Sequence, residues 1–262
     1  MTEKSILFNV DGDIATITLN RPDAGNALDE SCTSLLLDAT TRCELDPAIR
    51  CVVLTGRGKL FCGGGDIGGF RTAGDDIGEY LSKLAGILHM SVTRLMRMPK
   101  PLLVSVNGPA AGAGMSLALA GDVVIAGRSA NFTTAYGAIG LTADLGMSWH
   151  LPRLVGMRRA QDLLYTSRRV ASDEALEIGL VTAVVDDDAL AEETAKRARR
   201  LADGAIGAIG RTKALLLNTY GESLETQLEY EARAITHSGM SAESREGVSA
   251  FLEKRKPVFK QT

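Results

Sequence analysis

Between Val106 and Ala120 the chain reads Val106-Asn107-Gly108-Pro109-Ala110-Ala111-Gly112-Ala113-Gly114-Met115-Ser116-Leu117-Ala118-Leu119-Ala120. An apolar run, Leu102 to Val106, precedes it, and residues of good helix propensity follow, so the pattern is strand, tight loop, helix N-terminus. Gly108, Gly112 and Gly114, with Ala110, Ala111, Ala113 and Ala118, leave almost no side chain where the helix begins. The first turn of a helix has unpaired N–H donors and a partial positive charge, so a bare one can bind an anion or stabilise one formed during reaction. Close packing of helix on strand needs the same small residues, and this stretch alone leaves both readings open.

A second loop of the same kind follows the β-branched strand Arg50 to Thr55: Gly56-Arg57-Gly58-Lys59-Leu60-Phe61-Cys62-Gly63-Gly64-Gly65-Asp66-Ile67-Gly68-Gly69. Gly63, Gly65 and Gly68 match the G-x-G-x-x-G spacing of dinucleotide sites. That fingerprint needs a strand directly before it and an acidic residue about twenty positions on, and both are missing. Gly146-Met147-Ser148-Trp149-His150 fails the G-x-S-x-G elbow at its last position, which removes support for a serine hydrolase. His89, His150 and His237 are scattered without metal-ligand spacing and read as packing or surface residues, so no metal is expected. Cys32, Cys43, Cys51 and Cys62 form no Cys-x-x-Cys pair and read as reduced packing residues.

With 262 residues, 45% apolar and 23% charged, the chain can bury a full core and has the composition of a soluble globular protein. A net charge of -3, with Lys and Arg spread along the chain, argues against a nucleic-acid partner. Met1-Thr2-Glu3-Lys4-Ser5 lacks a signal-peptide layout and no apolar run reaches membrane-spanning length, so no membrane association and a cytoplasmic location are expected.

The remaining pattern sets the order of elements. Ile6 to Val10 and Ile14 to Leu19 form a hairpin around Asp11-Gly12-Asp13. Asn26 stands where it would cap a helix running to about Cys43. Ile77 to Met98 is helical and is stopped by Pro99 and Pro101; Asp122 to Ala126 is a strand. Asp144 lies among Leu141, Ala143, Leu145, Met147 and Trp149, and on spacing alone it reads as the N-cap of a helix starting at Leu145. Helices at 157–165, 172–178 and 187–202 surround a strand at 180–185, and from Ile206 to Lys256 the pattern is helical only, with apolar stripes through Leu215, Leu216, Leu224, Leu228 and Ala232. The class is α/β.

Taken together, several ordered pieces resemble the crotonase superfamily, the enoyl-CoA hydratase and isomerase family, across essentially the whole chain. They are Asn20-Arg21-Pro22 with Asn26-Ala27-Leu28, Phe61 to Ile67, Val106 to Gly114, Asp122, and the run from Gly140 to Gly156. The resemblance implies a spiral of β-β-α turns over residues 1–200, holding the acyl-CoA site, and a helical oligomerisation region over 201–262. It further implies a homotrimer or a dimer of trimers, an acyl-CoA substrate, and no cofactor beyond the coenzyme A that the substrate carries.

Matched residue by residue, the family's two oxyanion-hole amides fall on Gly65 and Ala113, and its CoA contacts on Ala24, Gly65, Asp66, Ile67 and Gly68. The basic residue that often follows the alanine is replaced by Gly25. The two glutamates of the hydratases are replaced by Ser116 and Tyr136. Serine has no useful basicity near neutral pH and tyrosine has a reference pKa of about 10, which argues against ordinary hydration and leaves these two as candidates for orienting substrate. The segment Gly140-Leu141-Thr142-Ala143-Asp144-Leu145-Gly146 is similar to that of ring-epoxide and 3-enoyl-CoA isomerases of the family, which makes Asp144 the implied acid–base residue.

The expected reaction is a 1,3-proton shift through a dienolate held by Gly65 and Ala113, with an apolar pocket raising the pKa of Asp144 above the reference of about 3.9. Residues 70–84 are candidates for the acyl-chain pocket. Hydration, lyase or hydrolase chemistry on the same scaffold, or acyl-CoA binding without catalysis, are the alternatives.

Overall fold

The computed structural model describes residues 4–261; Met1 to Glu3, read above for a leader, lie outside the described residues. The chain opens with β1 (Ile6–Asp11) and β2 (Ile14–Leu19), an antiparallel hairpin in register Ile6 with Leu19, as the Asp-Gly turn predicts. Then come α1 (Glu30–Leu45), β3 (Cys51–Gly56), α2 (Ile67–Ala73), α3 (Ile77–Arg97) and β4 (Leu102–Val106). They are followed by β5 (Ala110–Ala111), α4 (Ala113–Leu119), β6 (Val123–Gly127), β7 (Asn131–Thr133), α5 (Met147–Val155) and α6 (Met157–Thr166). The last part holds β8 (Val170–Ala171), α7 (Ser172–Glu177), β9 (Ala183–Val185), α8 (Leu190–Ala202), α9 (Ile206–Asn218), α10 (Leu224–Gly239) and α11 (Ala242–Leu252).

The main sheet runs β1-β2-β3-β4-β6-β9, parallel from β2 onward. Parallel strands need crossovers that cover both faces, and β4 accordingly has all five residues buried. A second sheet, β5-β7-β8, lies beside the two glycine loops, with β5 and β7 parallel and β7 and β8 antiparallel. The core gathers around Leu54, Phe61, Leu102, Val104, Met115 and Phe132, all 0% exposed. All four cysteines are buried free thiols, as packing residues should be; burial pushes those of Cys43, Cys51 and Cys62 up to about 12.

Lys213 on α9 is buried and donates to Asp122 Oδ2 at 2.7 Å and to the main-chain carbonyl of Leu95 at 2.9 Å, tying the helical C-terminal part to the start of β6. Among the described residues no helix is long and apolar enough to cross a membrane, and no group of three or more His, Cys, Asp or Glu is arranged to hold a metal ion.

Two expectations need correction. The cap of α1 is Asp29, whose carboxylate accepts from the Cys32 amide at 2.8 Å, and not Asn26. Asn26 is buried with φ 54°; its Oδ1 accepts from the Arg21 amide, and its amide group donates to the carbonyls of Arg57, Leu60 and Phe61 at 2.8–3.1 Å. It ties the 56–69 loop to the segment after β2. Asp144 caps nothing with its side chain: α5 starts at Met147 with Gly146 at the cap, and Leu145 and Gly146 are both left-handed, at φ 51° and 79°. A non-glycine residue in that region costs roughly 1–2 kcal/mol, and Leu145 is almost fully buried, which offsets the strain and fixes the turn that presents Asp144.

Candidate active site

β3 and β4 are parallel neighbours, so the two glycine loops leave the same edge of the sheet side by side. They are then stitched together: the Ala111 amide donates to the Cys62 carbonyl at 2.9 Å and the Phe61 amide to the Pro109 carbonyl at 3.1 Å. Side chains are excluded from this junction. A Cβ on Gly114 would stand 2.2 Å from the Cys62 carbonyl oxygen, and one on Gly64, whose φ is 107°, would lie 3.0 Å from the Ala111 oxygen and 3.6 Å from the Ala113 nitrogen. The close-packing reading of the opening stretch holds, and the same small residues leave the Ala113 amide without an acceptor. Neither the Gly65 nor the Ala113 N–H has an acceptor among the described residues.

Both residues line a cavity of about 560 Å³, lined further by Ile67 and Phe70 of the α2 segment, Leu81, Leu84, Ala85 and Leu88 of α3, and Tyr136, Ile139, Leu141, Asp144 and Leu145. Phe70, Leu81 and Leu84 belong to the stretch expected to line an acyl pocket, and α3 extends that lining to Leu88. Asp144 is the one carboxylate among these lining residues.

The cavity wall around Asp144 is apolar as expected, but the carboxylate is not enclosed by it. Its side chain is 36% exposed, and Oδ1 lies 2.6 Å from Nε2 of His89 on α3, which is itself 53% exposed. His89 is the residue that sequence reasoning missed. It is separated from Asp144 by 55 positions, and no short motif links them.

Ser116 is fully buried and is not part of the cavity lining; it stands behind Tyr136 and Asp144. Its hydroxyl shares a 2.9 Å hydrogen bond with the Tyr136 hydroxyl and donates to the Asp144 main-chain carbonyl at 2.9 Å. Tyr136 lines the cavity, and burial, partly offset by the Ser116 hydrogen bond, pushes its hydroxyl far above the usual phenol value, so it remains protonated.

Asp66 caps α2 by accepting from the Gly68 and Gly69 amides at 2.9 and 3.4 Å, and it accepts from Arg21 at 2.9 Å. Burial raises its pKa, but Arg21 and the two amides outweigh this and hold it below the usual carboxylate range. Arg21 also reaches the carbonyl of Ala27, so the arginine, the loop and the helix start form one unit. Ala24 is exposed, and neither it, Asp66 nor Gly68 lines the cavity, whereas Ile67 does.

Two bare amides on the wall of one apolar cavity, with a carboxylate beside them, suit chemistry in which an oxyanion forms and a proton moves beside it. The family model for enoyl-CoA hydratase/isomerase matches residues 9–262. The 1,2-epoxyphenylacetyl-CoA isomerase of Escherichia coli is 39% identical over 258 residues, covering 97% of each chain. The crotonyl-CoA hydratase of Syntrophomonas wolfei is 34% identical over 261 residues, covering 99% of each. A crystal structure of an enoyl-CoA hydratase from Bacillus anthracis superposes with a TM-score of 0.93 at 30% identity, covering 98% of this chain and all of that one. The chain therefore has the crotonase fold and belongs to the enoyl-CoA hydratase/isomerase family.

Proposed function

We propose that this family member is an acyl-CoA isomerase, shifting a double bond of a 3-enoyl-CoA or of a cyclic or epoxide analogue by a 1,3-proton transfer. The observation that carries the reading is the single carboxylate, Asp144, on the wall of the cavity that Gly65 and Ala113 also line. With the thioester oxygen between the two amides, Asp144 removes a proton from the α-carbon, and negative charge spreads onto the oxygen. The same carboxyl group then returns a proton at the far end of the dienolate. Removing one oxyanion donor of this kind costs about 2.7–4 kcal/mol of transition-state stabilisation.

Tyr136 keeps its proton and Ser116 is spent on internal hydrogen bonds, so a second base for activating water is missing from the wall. Hydration is the runner-up reading, and it is favoured by the name of the relative from Syntrophomonas wolfei. Ala24, Gly65, Asp66, Ile67 and Gly68 form the proposed CoA-contacting segments, acting through main chain at Asp66, whose carboxylate Arg21 and the α2 amides already engage. The reaction draws on no cofactor beyond the coenzyme A of the substrate, and the proposed location is the cytoplasm. The proposed assembly is a homotrimer or a dimer of trimers, supported by the apolar side chains that α10 and α11 leave open: Leu224, Leu228, Ile235, Val248, Phe251 and Leu252.

The test is incubation of wild type and Asp144→Asn with 3-enoyl-CoA and with 2-enoyl-CoA, following the double bond by absorbance. The expected outcome is isomerisation by wild type and a loss on the order of 10²–10⁴-fold in the variant, with acyl-CoA affinity maintained. Water addition to 2-enoyl-CoA without double-bond shift would establish the hydratase reading instead. Binding without turnover would leave an acyl-CoA-binding protein.

A further inference from the structure

Asp144 and His89 open onto different spaces. Asp144 lines the large cavity, while His89 lines a smaller one of about 260 Å³ on the other side of Leu145, shared with Thr93, Met96, Gly146, Trp149 and His150. The 2.6 Å contact between Oδ1 and Nε2 is the bridge between the two. The second carboxylate oxygen has no partner among the described residues and is left for substrate.

On α3, Leu81, Leu84, Ala85 and Leu88 form the face that lines the large cavity. His89 is the next residue and stands about 100° round the helix from Leu88, so it meets the carboxylate from the side. The other groups near His89 are engaged. His150 has its Nε2 3.2 Å from the Met96 sulfur, and Arg153 lies 4.0 Å over the Trp149 ring and donates to the Trp149 carbonyl.

We propose that His89 is a positioning residue for Asp144 and also its route of proton exchange with solvent, so that the proton removed from substrate is not obliged to be the one returned. The proposal rests on Asp144 acting as the acid–base group. Abstraction leaves the substrate proton on the carboxyl group, which turns its protonated oxygen toward the ring. In the resting pair Nε2–H donates to Oδ1; once the carboxyl is protonated, the half-exposed ring trades that proton through water for one on Nδ1, after which Nε2 accepts the captured proton while Nδ1 releases its own to water. The same two transfers run backward deliver a solvent proton to the carboxylate. One proton leaves and one enters, and no oxidant or co-reactant is needed.

The test is the ratio of solvent exchange to turnover. Wild type and His89→Gln are given an α-deuterated 3-enoyl-CoA in water, and separately butyryl-CoA in deuterium oxide. The saturated thioester cannot isomerise but can exchange its α-protons. Glutamine retains a hydrogen-bond donor for Asp144 and cannot relay a proton. Wild type is expected to lose label to solvent during isomerisation and to exchange the α-protons of butyryl-CoA. His89→Gln is expected to carry the label across to the product and to exchange α-protons on the order of 10²-fold more slowly, the lower end of a general acid–base contribution. His89→Ala with added imidazole is the second arm, in which exchange returns with imidazole concentration.

A His89→Gln enzyme with the wild-type exchange-to-turnover ratio overturns the proposal while leaving the isomerase reading intact. Wild-type α-exchange that depends on His89, with no double-bond shift on any enoyl-CoA, sustains the proposal and sinks the isomerase reading. Absence of both overturns both.

Discussion

Gly114→Ala puts the two glycine loops under a defined load. In an ordinary helix this change stabilises by about 0.5–1 kcal/mol, because alanine has less backbone freedom to lose. Here the new methyl would stand 2.2 Å from the Cys62 carbonyl oxygen, 2.6 Å from Cys62 Cβ and 2.8 Å from its carbonyl carbon. Two of these three atoms are main chain and cannot swing away, so either the 56–69 loop or α4 must retreat by about 1 Å to recover a normal contact. Overpacking of this kind costs about 1–3 kcal/mol, and with backbone as the obstacle the upper end applies, so the clash outweighs the propensity gain. The net expectation is a loss of about 2–2.5 kcal/mol.

The displacement also separates the loops that carry Gly65 and Ala113. A donor moved by an ångström loses much of its hydrogen bond to the oxyanion, and turnover should fall on the order of 10²-fold. Gly86 on α3 is the control: a Cβ there meets nothing within 4 Å, and Gly86→Ala should stabilise by up to about 1 kcal/mol with activity unchanged. Urea unfolding and double-bond-shift kinetics on both variants provide the readout. If Gly114→Ala matches Gly86→Ala in stability and in rate, the account of this junction as a side-chain-free contact is refuted.

Two further expectations concern the whole molecule. Burial, with a smaller effect from the Arg153 charge, holds His150 down at about 4, whereas an unfolded chain takes up that proton at about 6.5. The unfolded state therefore binds the proton first on acidification; the contribution is complete above 6.5 and drains as pH falls from 6.5 to 4, by up to about 3 kcal/mol. Denaturant midpoints measured across that window should fall for wild type, and His150→Leu should flatten the fall if the assignment is right. Phe251 on α11 is 82% exposed in the single chain, and Phe251→Asp should shift the particle to smaller mass in light scattering. A wild type that runs as a monomer at all concentrations would remove the trimer proposal.

The parts legible in the sequence are those written in short-range pattern. The opening hairpin, α3 with its proline stop, β4 and the two glycine loops each follow from a few consecutive residues. Gly65, Ala113 and Asp144 were reached through motifs, and the structure brings all three to one cavity. What the sequence did not disclose depends on partners far away along the chain. Asn26 resembles a helix cap because it is an asparagine before a helical run, yet its amide is claimed by carbonyls 31 to 35 positions later. Asp144 has the spacing of a cap, but the left-handed pair Leu145 and Gly146 delays α5 and frees the carboxylate. His89 had no local context at all, because its meaning comes from the crossing of α3 over the Asp144 turn.

The junction of the two loops also bears on how such a protein changes its chemistry. The proposed donors for the oxyanion belong to the main chain and leave from the paired strands β3 and β4, so substitution at positions 65 and 113 by any residue but proline alters their packing and keeps the N–H itself. The groups proposed to move the proton are the side chains of Asp144 and His89, joined by one hydrogen bond and backed by Ser116 and Tyr136 through others. On that proposal, charge stabilisation and proton routing are inherited through different parts of the molecule. A few substitutions can redirect the reaction while the part that makes an enolate accessible stays in place.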